Sequence, residues 1–267
     1  MEFPLKVVCI VQARLNSRRL PAKVMKPLGA LSTIGLLLQR LDQSKSIEKI
    51  VVAIPEKSSD TMLEQHIKEM GFSVFKGHEE DVLKRFLDAA VEHDAEVIVR
   101  LTGDCPLVDV SIVDSVIDDY TEGDADYTSN IDPPTFPDGM DVEVFSMAAL
   151  KSAHRDAFKK SDREHVTTYF RNSGLYSCRN IKHSSDLSHI RLTIDELADH
   201  DVVNAIVEHF SPNIHFSMSQ IIEFLNGDGK HIRARNQYIL RNEGYDLNSG
   251  QKLWRRAKKV IPAGNSL

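Results

Sequence analysis

Along its first 130 positions the chain alternates short, nearly unbroken apolar runs with longer segments whose apolar residues recur every three or four positions. "KVVCIVQA" (6–13), "KIVVAIP" (49–55), "FSVFKG" (72–77) and "AEVIVRLT" (95–102) are of the first kind, the pattern of strands covered on both faces. Between them, "TIGLLLQRLDQS" (33–44) sets Ile34, Leu37, Leu38 and Leu41 at helical spacing. "SSDTMLEQHIKEM" (58–70) opens on a serine cap and stops before Gly71, and "EEDVLKRFLDAAVEH" (79–93) reads as a third helix. This alternation predicts an α/β fold with a mostly parallel sheet flanked by helices. Ligands of such sheets gather at the carboxyl ends of the strands.

From position 130 the pattern changes. "NIDPPTFPDGMDVEVF" holds three prolines and a glycine, which predicts a long shaped loop running into a strand, "DVEVF". Loops of that length inside a domain are usually functional. Helices are expected at about 147–156 and 162–172, strands near 175–182 and 189–194, then helix to about 209 and a short one in "SMSQIIEFLNG". The sequence suggests one domain over 1–228 and a helical tail or linker over 229–267. In the tail, "QKLWRRAKKVI" places Leu253, Trp254, Ala257, Val260 and Ile261 on one helical face, with five basic residues around the rest.

Composition narrows the partners. With 33 Lys and Arg against 39 Asp and Glu, the net charge is −6, which argues against a general nucleic-acid surface. No apolar run has the length of a membrane helix, and "MEFPLKVVCI" lacks an export signal. Cys9, Cys105 and Cys178 are far apart and odd in number, so free thiols and a cytoplasmic location are expected.

Against this acidic background, "VQARLNSRRLPAKV" (11–24) concentrates Arg14, Arg18, Arg19 and Lys23 just beyond the first strand. A P-loop would need G-x-x-x-x-G-K-[ST] and a dinucleotide fold G-x-G-x-x-G; the loop has no glycine before Gly29. What remains is a phosphate cradle made of side chains, or a merely solvated cationic face. In "VIVRLTGDCPLVD" (97–109) a buried strand ends on Thr102-Gly103-Asp104, bringing Asp104 to the same edge if the first and fourth strands are neighbours. Asp195, in "RLTIDELADH", again follows a strand-like run. Two such carboxylates suit a Mg²⁺ ion shared with phosphates, and each also suits a helix N-cap.

Six stretches in order, "IVQARLNSRRLPAKVMKPLG", "KGHEEDVLKRF", "VIVRLTGDCPLVD", "FPDGMDVEVF", "DREHVTTYF" and "LSHIRLTIDE", resemble the spore-coat polysaccharide cytidylyltransferases. These are relatives of the enzymes that activate sugar acids as CMP conjugates. The resemblance spans about residues 5 to 210 and implies a Rossmann-like nucleotide-diphospho-sugar transferase fold with a β-containing acceptor region. It also implies transfer of CMP from CTP to an acidic or phosphorylated acceptor, with Mg²⁺ as cofactor and a homodimer as an expected assembly. Carried onto this chain, Gln12, Ala13, Arg14, Asn16, Ser17, Arg18 and Lys23 would bind nucleotide, with Asp81 and Arg100 near ribose and base. Arg14, Lys23 and Asp104 would be catalytic, and Asp104 and Asp195 would hold the metal. Asp141, Glu143, Arg163, Glu164 and His165 would face the acceptor.

The chain departs from that pattern in three places. Asn16 and Ala22 stand where members commonly carry glycine, and Asp195 is followed by Glu rather than Thr-Pro. Two rival readings of the same features are a glycosyltransferase using a nucleotide-sugar donor and a non-catalytic nucleotide-binding domain. The last 17 residues, "QKLWRRAKKVIPAGNSL", resemble the opening of class III aminotransferases, implying a fused transaminating domain beyond them.

Overall fold

The computed structural model describes residues 5–241. The amphipathic tail segment and its resemblance to an aminotransferase lie outside the described residues. Five strands of the main sheet follow from apolar runs or short alternating stretches, β1 (Val7–Gln12), β4 (Lys49–Pro55), β5 (Ser73–Gly77), β6 (Val97–Thr102) and β8 (Glu143–Ser146), whereas β7 (Tyr127–Ser129) carries no such pattern and is not expected from the sequence. β9 (Cys178–Asn180) completes it, and β2 (Pro27–Leu28) pairs with β3 (Leu31–Ser32) in a separate hairpin. The order is β5-β4-β1-β6-β8-β7-β9. β8 alone among these runs against its neighbours. The sheet is therefore mostly parallel.

Helices cover both faces, and each face has its own core. On one side α1 (Thr33–Leu41), α4 (Val110–Glu122), α8 (Leu197–Phe210) and α9 (Met218–Asn226) pack with Val7, Cys9 and Val11. On the other, α3 (Val82–Glu92) and α5 (Met147–Asp156) pack with Val8 and Ile10. β1 thus sends alternate side chains into two cores, which is why its sequence is a continuous apolar run. α2 (Thr61–Glu69) carries the chain between β4 and β5, and α10 (Lys230–Arg233) follows α9.

Two expected elements differ. The helix anticipated over 162–172 is broken into α6 (Lys160–His165) and α7 (Thr168–Asn172). Val166 between them has φ 61 and ψ −60, and the Thr167 N–H donates to the His165 carbonyl at 2.6 Å. This is a γ-turn of the strained hand, rare for a β-branched residue. The strand anticipated at 189–194 is irregular backbone, leaving a turn at 188–189 and bending at 193, that makes a single bridge, Asp138 to Arg191, rather than a ladder. Its alternation still sorts the faces, with Ile190, Leu192 and Ile194 in the core.

No described helix is long and apolar enough to cross a membrane. Cys9, Cys105 and Cys178 are all free.

Candidate active site

β1 and β6 run parallel with Gln12 opposite Thr102, so their carboxyl ends lie side by side. Gly103 makes the close approach possible. A Cβ there would stand 3.0 Å from the Ala13 Cβ and 3.2 Å from the Gln12 carbonyl, to which the Gly103 N–H donates at 2.8 Å. The turn places Asp104 beside the cationic loop leaving β1.

That loop is shaped by backbone contacts. The Ser17 and Ala22 N–H groups both donate to the Leu15 carbonyl, at 2.8 and 2.9 Å. The Leu15 N–H donates to buried Asp60 at 2.8 Å, fixing the loop to the turn before α2. Ala22 closes the loop with φ 51, a left-handed conformation that costs a residue with a Cβ about 1–2 kcal/mol. A 3₁₀ turn over Lys23–Met25 follows and turns Lys23 inward.

The Lys23 ammonium donates to the Asp104 carboxylate and, at 2.8 Å, to Asp195 Oδ1. Arg19 Nη2 lies 2.8 Å from the same Asp195 oxygen. Asp195 arrives on the 189–195 segment, which is stitched to the Asp104 carbonyl by the Ile194 N–H at 2.8 Å and the Thr193 hydroxyl at 3.2 Å. Asp195 is no helix cap: Glu196 caps α8 in a reciprocal box with Asp199. Its second oxygen instead accepts from Arg191 Nη2 at 2.9 Å.

Arg191, 4% exposed, is the hub beneath this pair. It also donates to Asp138 Oδ2 at 2.6 Å and Asp199 Oδ1 at 2.8 Å. Asn236 donates to Asp199 Oδ1 and to the Arg191 carbonyl, both at 3.1 Å. Gly139, with φ 105, lets the Asp138 loop press onto this segment; a Cβ there would meet Leu192 and Thr193 backbone at 2.7 Å.

The remaining candidates fall into two further groups. Glu143 on β8 pairs with Arg100 across the sheet and accepts from the Tyr127 hydroxyl at 2.6 Å. Arg100 Nη2 reaches Gln12 Oε1 at 3.4 Å. Asp141 pairs with Arg241, which also sits 4.0 Å from Asp138. Asp81 caps α3 and holds Arg163 by two contacts, at 2.9 and 2.5 Å. Arg163 further donates to the His154 and Ala157 carbonyls at 2.9 and 3.2 Å, anchoring α6. Glu164 is exposed and His165 half-buried; burial lowers the His165 pKa. Arg14, Asn16 and Arg18 are exposed at the loop surface, with Ala13 buried beneath.

The pKa directions follow this geometry. Burial works against the Lys23 ammonium, but the Asp104 and Asp195 charges outweigh it and raise its pKa. Burial likewise opposes the Asp104 carboxylate, yet Lys23 prevails and holds it at about 2. Across the hub the balance reverses: burial and the Asp141 charge push Asp138 up to about 7 despite Arg191 and Arg241. Burial raises Asp141 as well.

Asp104 and Asp195 therefore present hard carboxylate oxygens to one cationic point. Among the described residues no group of three or more His, Cys, Asp and Glu side chains is arranged to hold a metal. Two carboxylates suffice for Mg²⁺ where phosphate oxygens and water fill its other positions. The donor set fits that ion beside a polyphosphate.

Of the residues singled out in the sequence, the structure brings Lys23, Asp104 and Asp195 together; sequence reasoning assigned no role to Arg191, Asp138, Asp199, Asn236, Arg241 or Asp60, and left Arg19 as one cation in a cluster. Asn236 and Arg241 lie beyond every motif.

Four similarities to known proteins bear on this geometry. A family model described as "Cytidylyltransferase" matches residues 8–220. The spore coat polysaccharide biosynthesis protein SpsF of Bacillus subtilis is 35% identical over 228 residues, covering 82% of this chain and 94% of that protein. A 3-deoxy-manno-octulosonate cytidylyltransferase of Chlorobium limicola is 25% identical over 183 residues, covering 65% and 73%. The solved structure of a cytidylyltransferase from Leptospira borgpetersenii superposes with a TM-score of 0.82 at 34% identity, covering 86% of this chain and 97% of that one.

Proposed function

The chain belongs to the cytidylyltransferase family, and from that premise we propose that it transfers CMP from CTP to an acidic sugar or small phosphorylated acceptor, releasing pyrophosphate. The product would be a precursor of surface polysaccharide, in keeping with the names of its relatives. The single observation that carries this reading is the meeting of Lys23 and Arg19 with Asp104 and Asp195 at the carboxyl ends of β1 and β6.

Transfer of this kind asks little covalent chemistry of a protein; positioning and charge neutralisation do most of the work. Asp104 and Asp195 would hold Mg²⁺, which when bound polarises the α-phosphate. Lys23 and Arg19, with Arg14 and Arg18 on the loop surface, would hold the triphosphate and neutralise charge on the departing pyrophosphate. For Lys23 this means trading its carboxylate partners for phosphate oxygens as the nucleotide enters. Gln12 and Arg100, joined to each other, border the same strand ends and would line the nucleoside side. Asp141 and Glu143, on the stretch leading into and beginning β8, would form the acceptor wall. Arg163 would act through Asp81, fixing α6 to the cap of α3. The Val166 γ-turn would hold His165 and Glu164 in a set orientation.

The test is a pyrophosphate-release assay with CTP, UTP, ATP and GTP, each with Mg²⁺, against a panel of sugar acids that includes 3-deoxy-manno-octulosonate and a panel of sugar phosphates. Release with CTP and one acceptor class, with the CMP conjugate seen by mass spectrometry, is the expected result. Release of CMP or UDP from a nucleotide-sugar donor instead would place the chain among glycosyltransferases.

A further inference from the structure

The family model ends at residue 220, yet the described chain continues and returns to the site. Asn236, 2% exposed, ties this returning segment to Asp199 and the Arg191 carbonyl. From that anchor the chain reaches Arg241, whose Nη2 donates to Asp141. Arg241 Nη1 lies 3.4 Å from the Phe136 carbonyl and its Nε 4.0 Å from Asp138 Oδ1.

The charges around it have a simple order. Three carboxylates stand on the stretch 138–143, and each has its own arginine: Asp138 has Arg191, Glu143 has Arg100 and Asp141 has Arg241. The first two arginines lie within the family-model region. Only the third comes from beyond it. Asp141 is also the most open of the three, with its side chain 35% exposed against 11% for Asp138 and 2% for Glu143. An acidic acceptor approaching this wall would meet Asp141 first, and a bare carboxylate there would repel it.

We propose that Arg241 is a specificity-determining residue that cancels the Asp141 charge and so admits an anionic acceptor, leaving carboxylate oxygen to accept sugar hydroxyls. This rests on the acceptor class of the proposed function. Arg241 acts through Asp141 and is a positioning residue; CTP binding does not depend on it.

The test uses the full chain and its Arg241→Gln and Arg241→Lys variants. Pyrophosphate release is followed as a function of the concentration of 3-deoxy-manno-octulosonate, or of whichever acid in the panel the unsubstituted chain turns over, and of that acid's methyl ester. Arg241→Gln should raise KM for the acid by at least about tenfold, because a like-charge contact at a partly exposed carboxylate is only partly screened by solvent, with KM for CTP and for the ester changed less than twofold. Arg241→Lys should recover most of the acid KM. Adding Asp141→Asn to Arg241→Gln should also bring the acid KM back down, because the charge to be cancelled is gone while the amide oxygen still accepts a sugar hydroxyl. An acid KM unmoved in Arg241→Gln, or a defect that persists in the double variant, would overturn the proposal. If the unsubstituted chain turns over only neutral acceptors, the acceptor reading and this inference fall together; an active chain with an indifferent Arg241 sinks this inference alone.

Discussion

Lys23 and Asp195 are 172 positions apart in the chain, and the ammonium of one lies 2.8 Å from a carboxylate oxygen of the other. The same ammonium also holds Asp104, so three segments from the strand ends converge on one point. Truncating Lys23 to alanine removes the cation that bridges both carboxylates, leaving Arg19 on Asp195 alone and the sheet beneath untouched. Lys23→Ala and Asp104→Asn should each lower kcat/KM for CTP by about 10²–10³, the cost of losing one preorganised group at such a site. Circular dichroism of both variants should match the parent.

Ala22 bears the cost of shaping the loop that delivers Lys23. Its φ of 51 suits glycine, the residue that the family resemblance places there. Ala22→Gly should therefore stabilise the fold by up to about 1 kcal/mol, the backbone relief partly offset by the greater freedom of glycine in the unfolded chain. Differential scanning calorimetry would register this as a rise in Tm; a fall would mean that the Ala22 methyl packs more than its backbone strains.

Much of the sheet was legible because β1, β4 and β6 are covered on both faces, and their sequences are apolar but for Gln12, Lys49, Arg100 and Thr102. The site was legible only where a motif held the residue. Asp104 follows a buried strand directly, and Lys23 sits in a cation cluster foreign to an acidic chain. Arg191 gave no such sign, since its meaning depends on Asp138, 53 positions earlier, and on Asp199 in the next helix. The alternation of 189–194 correctly separated Ile190, Leu192 and Ile194 from the polar face, but it could not show that the segment finds no strand to pair with. Nothing in "DREHVTTYF" announces a break either: Val166 is neither glycine nor proline, and packing in the core holds its turn.

Arg191 carries the largest structural load in the site. Arg191→Ala would leave Asp199 buried without its cation and Asp138 with only the more distant Arg241, and breaking a buried ion pair from one side costs about 3–5 kcal/mol. Urea titration should show that loss. Arg191→Lys should recover only part of it, because a single ammonium cannot match the guanidinium fork that meets three carboxylates.

Acceptor binding should depend on pH through Asp138. Burial first, and then the Asp141 and Asp195 charges, push its carboxyl up to about 7 against Arg191 and Arg241. A raised folded-state pKa means that the neutral form predominates below 7 and that a negative charge appears on the acceptor wall as the pH climbs past it. KM for an anionic acceptor should therefore rise between pH 6 and 8, and Asp138→Asn should flatten that rise. The same sign applies to stability: the ionised form is penalised in the fold, so this group favours folding least above pH 7. Initial-rate profiles between pH 6 and 8 would check the first statement; thermal unfolding between about pH 4 and 8 would check the second, the loss of stability developing as the pH rises toward 7.

The paired carboxylates and the triphosphate meet most directly in the binding of CTP itself, measured by isothermal titration calorimetry with Mg²⁺ and again with EDTA. The account predicts at least tenfold tighter CTP binding with Mg²⁺ for the unsubstituted chain, and no such difference for Asp104→Asn or Asp195→Asn. CTP affinity that ignores the metal, or a Mg²⁺ effect that survives both substitutions, would contradict it.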